Sequence, residues 1–261
     1  MILLPTLLFF ILGLIVGSFL NVVIIRYNTH RTFGGRSACM SCQNTLSWYE
    51  LIPVFSFLGL KGRCRNCKNK ISIAYPLVET ITGVIFAGLF LKLQNIFVLE
   101  TLSFAFTYAY FASMFSLLIV IAVYDLKHKI IPDLMVVFLG VLSFIGLFLF
   151  TDFGFYPHIP SLMDFLSGFF IAIPFAAIWF FSRGAWMGLG DAKLVLGLGW
   201  FLGLSQLLSG VVIAFWSGAI VGVLLVLFSK AHHIKSEIPF APFLVFGSIL
   251  AFLFEFHIFP L

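Results

Sequence analysis

Apolar residues in this chain come in long blocks, with the polar residues gathered between them. Eight blocks reach or approach the ~20 residues needed to cross a bilayer. They cover residues 1–25, 76–93, 96–124, 131–150, 162–181, 192–207, 208–229 and 240–259. The sixth and seventh are the hardest to part, because residues 192–229 are almost continuously apolar and only Gly203, Ser205 and Gln206 signal a turn. That stretch is too long for one ordinary span and fits two short ones. The pattern predicts an all-α polytopic membrane protein of about eight transmembrane helices, with seven as the competing count. The expected organisation is a first transmembrane helix over 1–25, an extramembrane domain over 26–75 and a membrane-embedded core over 76–261.

Composition agrees. The chain is 62% hydrophobic and 10% charged, with 35 Phe and a mean hydropathy of +1.14; soluble domains average roughly 45–50% apolar and 25% charged. No water-soluble core of this size hides so much apolar side chain, which argues against a secreted disulfide domain and an ordinary cytosolic enzyme. The net charge of +5 would suggest nucleic acid only if it covered an exposed face, and instead it is concentrated in short segments. Lys and Arg favour the cytoplasmic side of a membrane. With eight spans and the N-terminus outside, the cytoplasmic segments are 26–75, 125–130, 182–191 and 230–239. These hold Arg26, Arg31, Arg36, Lys61, Arg63, Arg65, Lys68 and Lys70, then Lys127 and Lys129, Arg183, and Lys230 and Lys235. Lys193 opens the sixth span at that surface, so fourteen of the 15 basic residues fall on one side and only Lys92 does not. The first block has no basic residue ahead of it and no small-residue cleavage pattern after it, so it reads as a retained anchor. No internal repeat is evident. Gly13/Gly17 and Gly218/Gly222, four apart, suit close helix packing.

All four cysteines lie in the polar segment, as Cys39-Met-Ser-Cys42 and Cys64-Arg-Asn-Cys67, with twenty-one residues between the pairs. This is a zinc-ribbon spacing, one residue beyond the usual range. Two intervening residues let both thiolates of a pair turn toward one tetrahedral ion, and four Cys ligands make a structural Zn2+ site with no open position. In so small a segment the metal supplies much of the folding free energy. Free thiols, disulfides and a redox role are the alternatives; disulfides suit a cytoplasmic loop poorly.

The acids are few. Asp152, Asp164 and Glu100 lie at external ends, Glu50 is in the polar segment, and Glu79 and Glu255 read as packing or helix-end residues. Asp125 and Asp191 stand apart. Asp125 ends the third span in Ala122-Val-Tyr-Asp125-Leu-Lys-His, and Asp191 opens the sixth in Gly188-Leu-Gly190-Asp191-Ala-Lys193. Two spans separate them, so parity returns the chain to the same surface. Two carboxylates in one apolar place cannot both ionise easily and hold a single proton between them. That is the chemistry of an aspartic peptidase: one carboxylate activates water, the protonated one polarises the scissile carbonyl. Gly188 and Gly190 would let backbone approach the carboxylate and an extended peptide. The same residues also fit a helix N-cap at Asp191, an interfacial charge at Asp125, or the proton relay of a proton-coupled transporter. His128, His232 and His233 read as solvated loop residues.

These motifs together resemble the type IV prepilin peptidases over nearly the whole chain. The likeness runs from Gly17-Ser-Phe-Leu-Asn21 through the cysteine pairs, with Ser47-Trp-Tyr49 and Ile52-Pro53 between them, to Tyr75-Pro-Leu-Val-Glu79. It continues with Asp125 and Ile131-Pro132-Asp133, the GxGD motif Gly188-Leu-Gly190-Asp191 with Lys193, and Ile238-Pro-Phe-Ala-Pro-Phe-Leu244. The resemblance implies an aspartic endopeptidase of the bacterial inner membrane that removes the basic leader of prepilins and pseudopilins after a Gly, on the cytoplasmic side. Many members then methylate the new N-terminus with S-adenosylmethionine. It implies Asp125 and Asp191 as the catalytic pair, Gly188, Gly190 and Lys193 as shaping residues, and Cys39, Cys42, Cys64 and Cys67 as zinc ligands. Prepilins and the lipid bilayer are the implied partners, without nucleic acid. The departures are Met40 for a Pro, Ala74 for a basic residue and Ala241 for a Gly, none expected to touch a catalytic group.

Overall fold

The computed structural model describes residues 2–29, 32, 34–151, 154–228, 238–256 and 258. Arg31, Asp152, Lys230, His232, His233 and Lys235 lie outside the described residues. The chain forms two compact units, Met1–Gln94 and Asn95–Leu261. Among the described residues, the regular structure is helical apart from one hairpin of two-residue strands, and the segment between the first and second long helices is mostly turns and loops with two isolated β-bridges. The helices are α1 (Leu3–Arg26), α2 (Phe55–Gly59), α3 (Ala74–Leu99), α4 (Thr101–His128), α5 (Asp133–Leu149), α6 (Leu162–Ser182), α7 (Leu189–Phe228) and α8 (Ala241–Phe254). Strands β1 (Phe150–Thr151) and β2 (Gly154–Phe155) pair antiparallel between α5 and α6. Among the described residues five helices, α1, α3, α4, α6 and α7, are long and apolar enough to cross a membrane, and α5 and α8 are shorter apolar helices.

In the first unit α1 packs on α3 through its small residues. A Cβ on Gly13 would lie 2.7 Å from the Thr82 carbonyl oxygen, and one on Gly17 2.8 Å from the Glu79 Cα. The expected close packing at Gly13 and Gly17 is therefore present. Gly218 and Gly222 differ, since a Cβ there would make only ordinary contacts with Phe243 at 3.5 Å and Ile238 at 3.6 Å. The tight crossings of the second unit fall elsewhere. Gly199 meets Gly168 between α7 and α6, where a Cβ would come within 2.2 Å of backbone, and Gly247 meets the Gly210 carbonyl between α8 and α7.

Several boundaries move from the sequence expectation. The break after α3 lies at Glu100, whose extended backbone (φ −150°, ψ 97°) separates two helices; the polar residues Gln94 and Asn95 stay helical. α4 runs on through Asp125 to His128 and stops at Lys129, a left-handed residue (φ 54°). His128 is thus a helix residue against the Tyr124 ring, not a loop residue. α8 ends at Phe254, where Glu255 turns left-handed. The start of α6 is legible: Ser161 and Asp164 form a reciprocal cap.

The most consequential boundary is inside α7. Gly203 has φ 72° and ψ 170°, a conformation open essentially only to glycine. The contacts on either side show that the chain reverses there. Asp191 begins at the Asp125 end of α4, and Trp200 donates its indole N–H to the Phe165 carbonyl at the start of α6. Ser209 accepts the N–H of Ile258 beyond the end of α8. Gly222 then reaches Ile238, just ahead of α8. The turn thus lies at Gly203 rather than after Leu207. Rings from three helices, Phe111 and Phe115 of α4, Phe201 of α7 and Phe252 of α8, gather beside it.

Among the described residues, no atom beyond its own stretch of chain lies within 4 Å of a Cβ built on Gly203, so the cost of a side chain there is in the backbone alone. Gly203→Ala is expected to destabilise the protein by about 1–3 kcal/mol. Gly140→Ala, in equally open space but inside helix α5, is expected to be neutral or stabilising. Thermal denaturation in detergent compares the two.

Candidate active site and metal centre

Asp125 lies in the last turn of α4 and Asp191 in the first turn of α7. Both are buried, at 4% and 7% exposure, and the carboxylates are close enough for Asp191 to sense the Asp125 charge. Asp125 accepts a hydrogen bond from the backbone N–H of Ala241, which opens α8. Asp191 accepts one from the N–H of Gly188, while its Oδ1 has no hydrogen-bond partner among the described residues. An unpaired buried acceptor is costly unless water or a ligand meets it. Gly190 has a steric reason to be glycine, since a Cβ would come 3.0 Å from the Ile131 side chain. At Gly188 a Cβ would sit in ordinary contact, 3.5 Å from Asp191 Oδ2. Lys193 pairs with Asp133 at 2.7 Å, both ends largely exposed, and so ties the start of α7 to the start of α5.

The contact from Ala241 corrects one expectation. The departure at that position does touch a proposed catalytic group, although through its backbone N–H, which Ala and Gly share. Sequence spacing holds no sign of this bond, because it depends on where α8 begins in space.

The four cysteines converge. All four Sγ atoms lie within 4.8 Å of one another, Cys39 Sγ and Cys67 Sγ are 3.8 Å apart, and all are free thiols. A tetrahedral Zn2+ with Zn–S of ~2.3 Å has an S···S edge of about 3.8 Å, so the cluster fits such an ion. Each pair is built alike. Cys39 N–H donates to the Asn44 carbonyl and Gln43 N–H to the Cys39 carbonyl; Cys64 and Asn69, and Lys68 and Cys64, do the same. Gln43 and Lys68 both take left-handed backbone (φ 57° and 59°), and the flanking bridges Ala38–Thr45 and Arg63–Lys70 match. The repeat Cys-x-x-Cys-x-Asn, absent from the sequence reading, is therefore one knuckle used twice. In it the Cys42 and Ser41 amides donate to the Cys39 sulfur and pull that thiol down to about 6. Cys67 is pushed up to about 11: the Asn69 N–H favours its thiolate, but desolvation and the three other thiols outweigh it. Four thiolates cannot coexist here without a cation.

The model of the type IV leader peptidase family matches residues 112–223, and that of the bacterial peptidase A24 N-terminal domain matches residues 11–93. A prepilin leader peptidase/N-methyltransferase of Myxococcus xanthus is 40% identical over 84% of this chain; the match spans 62% of the length of that relative. One of Bacillus subtilis is 33% identical, with 94% of this chain and 92% of the relative covered. One of Neisseria gonorrhoeae is 30% identical over 76% of this chain and 74% of the relative. No solved structure matches the chain. The transporter alternative draws no support from these relatives.

The thiol asymmetry has a direct consequence in metal-stripped protein. Thiolate, the reactive form, is populated above a group's pKa, so Cys39 is expected to be alkylated first at pH 7, with a rate that rises from pH 5 to 7. Cys67 should lag until strongly alkaline pH. Peptide mass mapping after brief iodoacetamide treatment reads the order, and metal should protect all four residues.

Proposed function

Because the chain belongs to the type IV leader peptidase family, we propose that it is a membrane aspartic endopeptidase that cleaves the basic leader of type IV prepilins and pseudopilins after Gly, and then N-methylates the new terminus with S-adenosylmethionine. The observation that carries the proteolytic half is the meeting of two buried carboxylates, Asp125 and Asp191, at one end of a helical bundle. The ionised member of the pair takes a proton from water as the water oxygen attacks the scissile carbonyl. The protonated member donates to the carbonyl oxygen. Collapse then breaks the C–N bond, and the departing nitrogen takes up a proton. The unpaired Oδ1 of Asp191 suits the position of the attacking water. Gly188 and Gly190 leave room for an extended peptide, and Lys193 shapes the rim through Asp133.

The topology supports cleavage at the cytoplasmic face of a bacterial inner membrane. Counting the two antiparallel halves of α7 separately, with α5 and α8, gives eight spans. The helix ends beside the aspartates carry Lys127, Lys129, Arg183 and Lys193, and basic residues stay on the cytoplasmic side. A prepilin has its apolar helix just after the leader, so its scissile bond waits at that same surface. The names of the relatives support methyl transfer. We assign Cys39, Cys42, Cys64 and Cys67 to a structural Zn2+ that holds the segment between α1 and α3 together.

Asp125→Asn and Asp191→Asn are each expected to slow leader removal by at least ~100-fold, the worth of one acid–base group, while the protein still inserts. Cleavage of a prepilin by purified enzyme measures this, and full activity in either variant would sink the assignment. Purified protein is expected to hold one zinc per chain. Cys64→Ser should lose it and unfold the 26–75 segment, as read by metal analysis and limited proteolysis.

A further inference from the structure

The first unit holds a partly open cavity of about 770 Å3, within the usual size of a small-molecule site. Its wall includes Ser18, Asn21 and Arg26 of α1, Glu50 of the cysteine segment, and Tyr75 and Glu79 of α3. The proteolytic reading uses none of them, since both aspartates belong to the second unit.

Glu79 is the feature that needs explaining. It is a carboxylate at 8% exposure in the second turn of a helix long enough to span the membrane. Ionisable groups so placed are costly and generally functional. Its Oε2 accepts the Val54 N–H at 2.8 Å, and the Ser18 hydroxyl donates to it as well. Val54 itself is strained. A β-branched residue at φ 60°, ψ −50°, with Phe55 N–H reaching the Pro53 carbonyl at 2.6 Å, is a γ-turn of the rare left-handed kind. Such a turn persists only where its surroundings hold it. Around the same cavity the Asn21 amide donates to the Tyr75 carbonyl at 3.1 Å. The Arg26 guanidinium donates to the carbonyls of Thr32 and Gly34 at 2.8 and 2.6 Å. The wall is thus fixed by hydrogen bonds at several points, with a buried carboxyl group held in place.

We propose that this cavity is the site of the methyl donor, with Glu79 as the counter-charge of its sulfonium; this rests on the methyl-transfer half of the function proposed above. In the transfer the lone pair of the new N-terminal amine attacks the methyl carbon. The S–CH3 bond breaks with its electron pair left on sulfur, and the positive charge passes to the methylated nitrogen. The donor is cationic at sulfur and the thioether product is neutral. A buried carboxylate therefore holds the first more tightly than the second and favours exchange of spent product.

The test is equilibrium binding of S-adenosylmethionine and of S-adenosylhomocysteine to the full chain in detergent, with zinc content and leader cleavage measured alongside. Glu79→Gln keeps an acceptor for Val54 and removes the charge. It is expected to weaken the donor by about tenfold or more and the neutral product by less than about twofold, with cleavage and zinc unchanged. Equal losses for both ligands would make Glu79 merely structural, and unchanged donor affinity would remove it from the site; either result overturns the proposal. Should Glu79→Gln lose its zinc, Val22→Trp, which fills the cavity from α1, decides instead: it is expected to block both ligands and spare cleavage, and donor binding that survives it overturns the proposal. A wild-type protein that cleaves prepilin but neither binds the donor nor methylates would refute the methyl-transfer reading, and this site with it. Methylation that persists in both variants would refute the site alone.

Discussion

In hydrocarbon every backbone N–H and C=O must find its partner within the protein, and that requirement decides where this chain can keep a charge. Helix interiors offer a carboxylate nothing, because their amides are already bonded. Helix starts do offer something, since the first amides of each helix have no partner within it and carry the positive end of its dipole. Asp125 is met in this way by Ala241, the first residue of α8, and Asp191 by the Gly188 amide ahead of its own helix. The two acids are therefore held where several helix ends reach one level. Bringing them to that level is the task the rest of the second unit performs.

Gly203 is central to it. By reversing the chain there, α7 leaves from Asp191 and comes back toward the start of α8. The returning half packs on α8 at Gly210 and Gly247, and the outgoing half on α6 at Gly168 and Gly199. Those glycines let backbones approach closely, and without a hydrophobic driving force between lipid-embedded helices, close packing is what holds them. The abundant Phe residues fill the wider gaps, as in the cluster of Phe111, Phe115, Phe201 and Phe252.

The cysteine segment solves a different problem. Among its described residues between α1 and α3 the only buried hydrophobic one is Cys64, too little apolar burial to fold a segment of this size on its own. Two copies of one knuckle, each a cysteine pair closed by an amide from the chain to an Asn carbonyl, present four sulfurs to a single point. The repeat is six residues long and shares only Cys, Cys and Asn, which is why it is hard to see without the hydrogen bonds that give those positions their meaning.

The sequence by itself determined what the solvent demands of it. Block length and apolar content called for membrane helices, the Lys and Arg distribution set an expected orientation for them, the cysteine spacing announced a cluster, and span parity put Asp125 and Asp191 on one surface. These features are legible because each depends on local composition or on counting. Only the tertiary structure decided which amide serves Asp125, that Lys193 pairs with Asp133, that the reversal sits at Gly203 rather than after Leu207, and that Glu79 lines a cavity. Which small residues are truly close-packed was likewise hidden, for Gly168, Gly199, Gly210 and Gly247 lack the regular spacing that Gly218 and Gly222 display. The physical reason is common to all of these: they are contacts between residues distant in sequence, and in a chain this uniformly apolar no periodicity says which face of one helix meets which face of another.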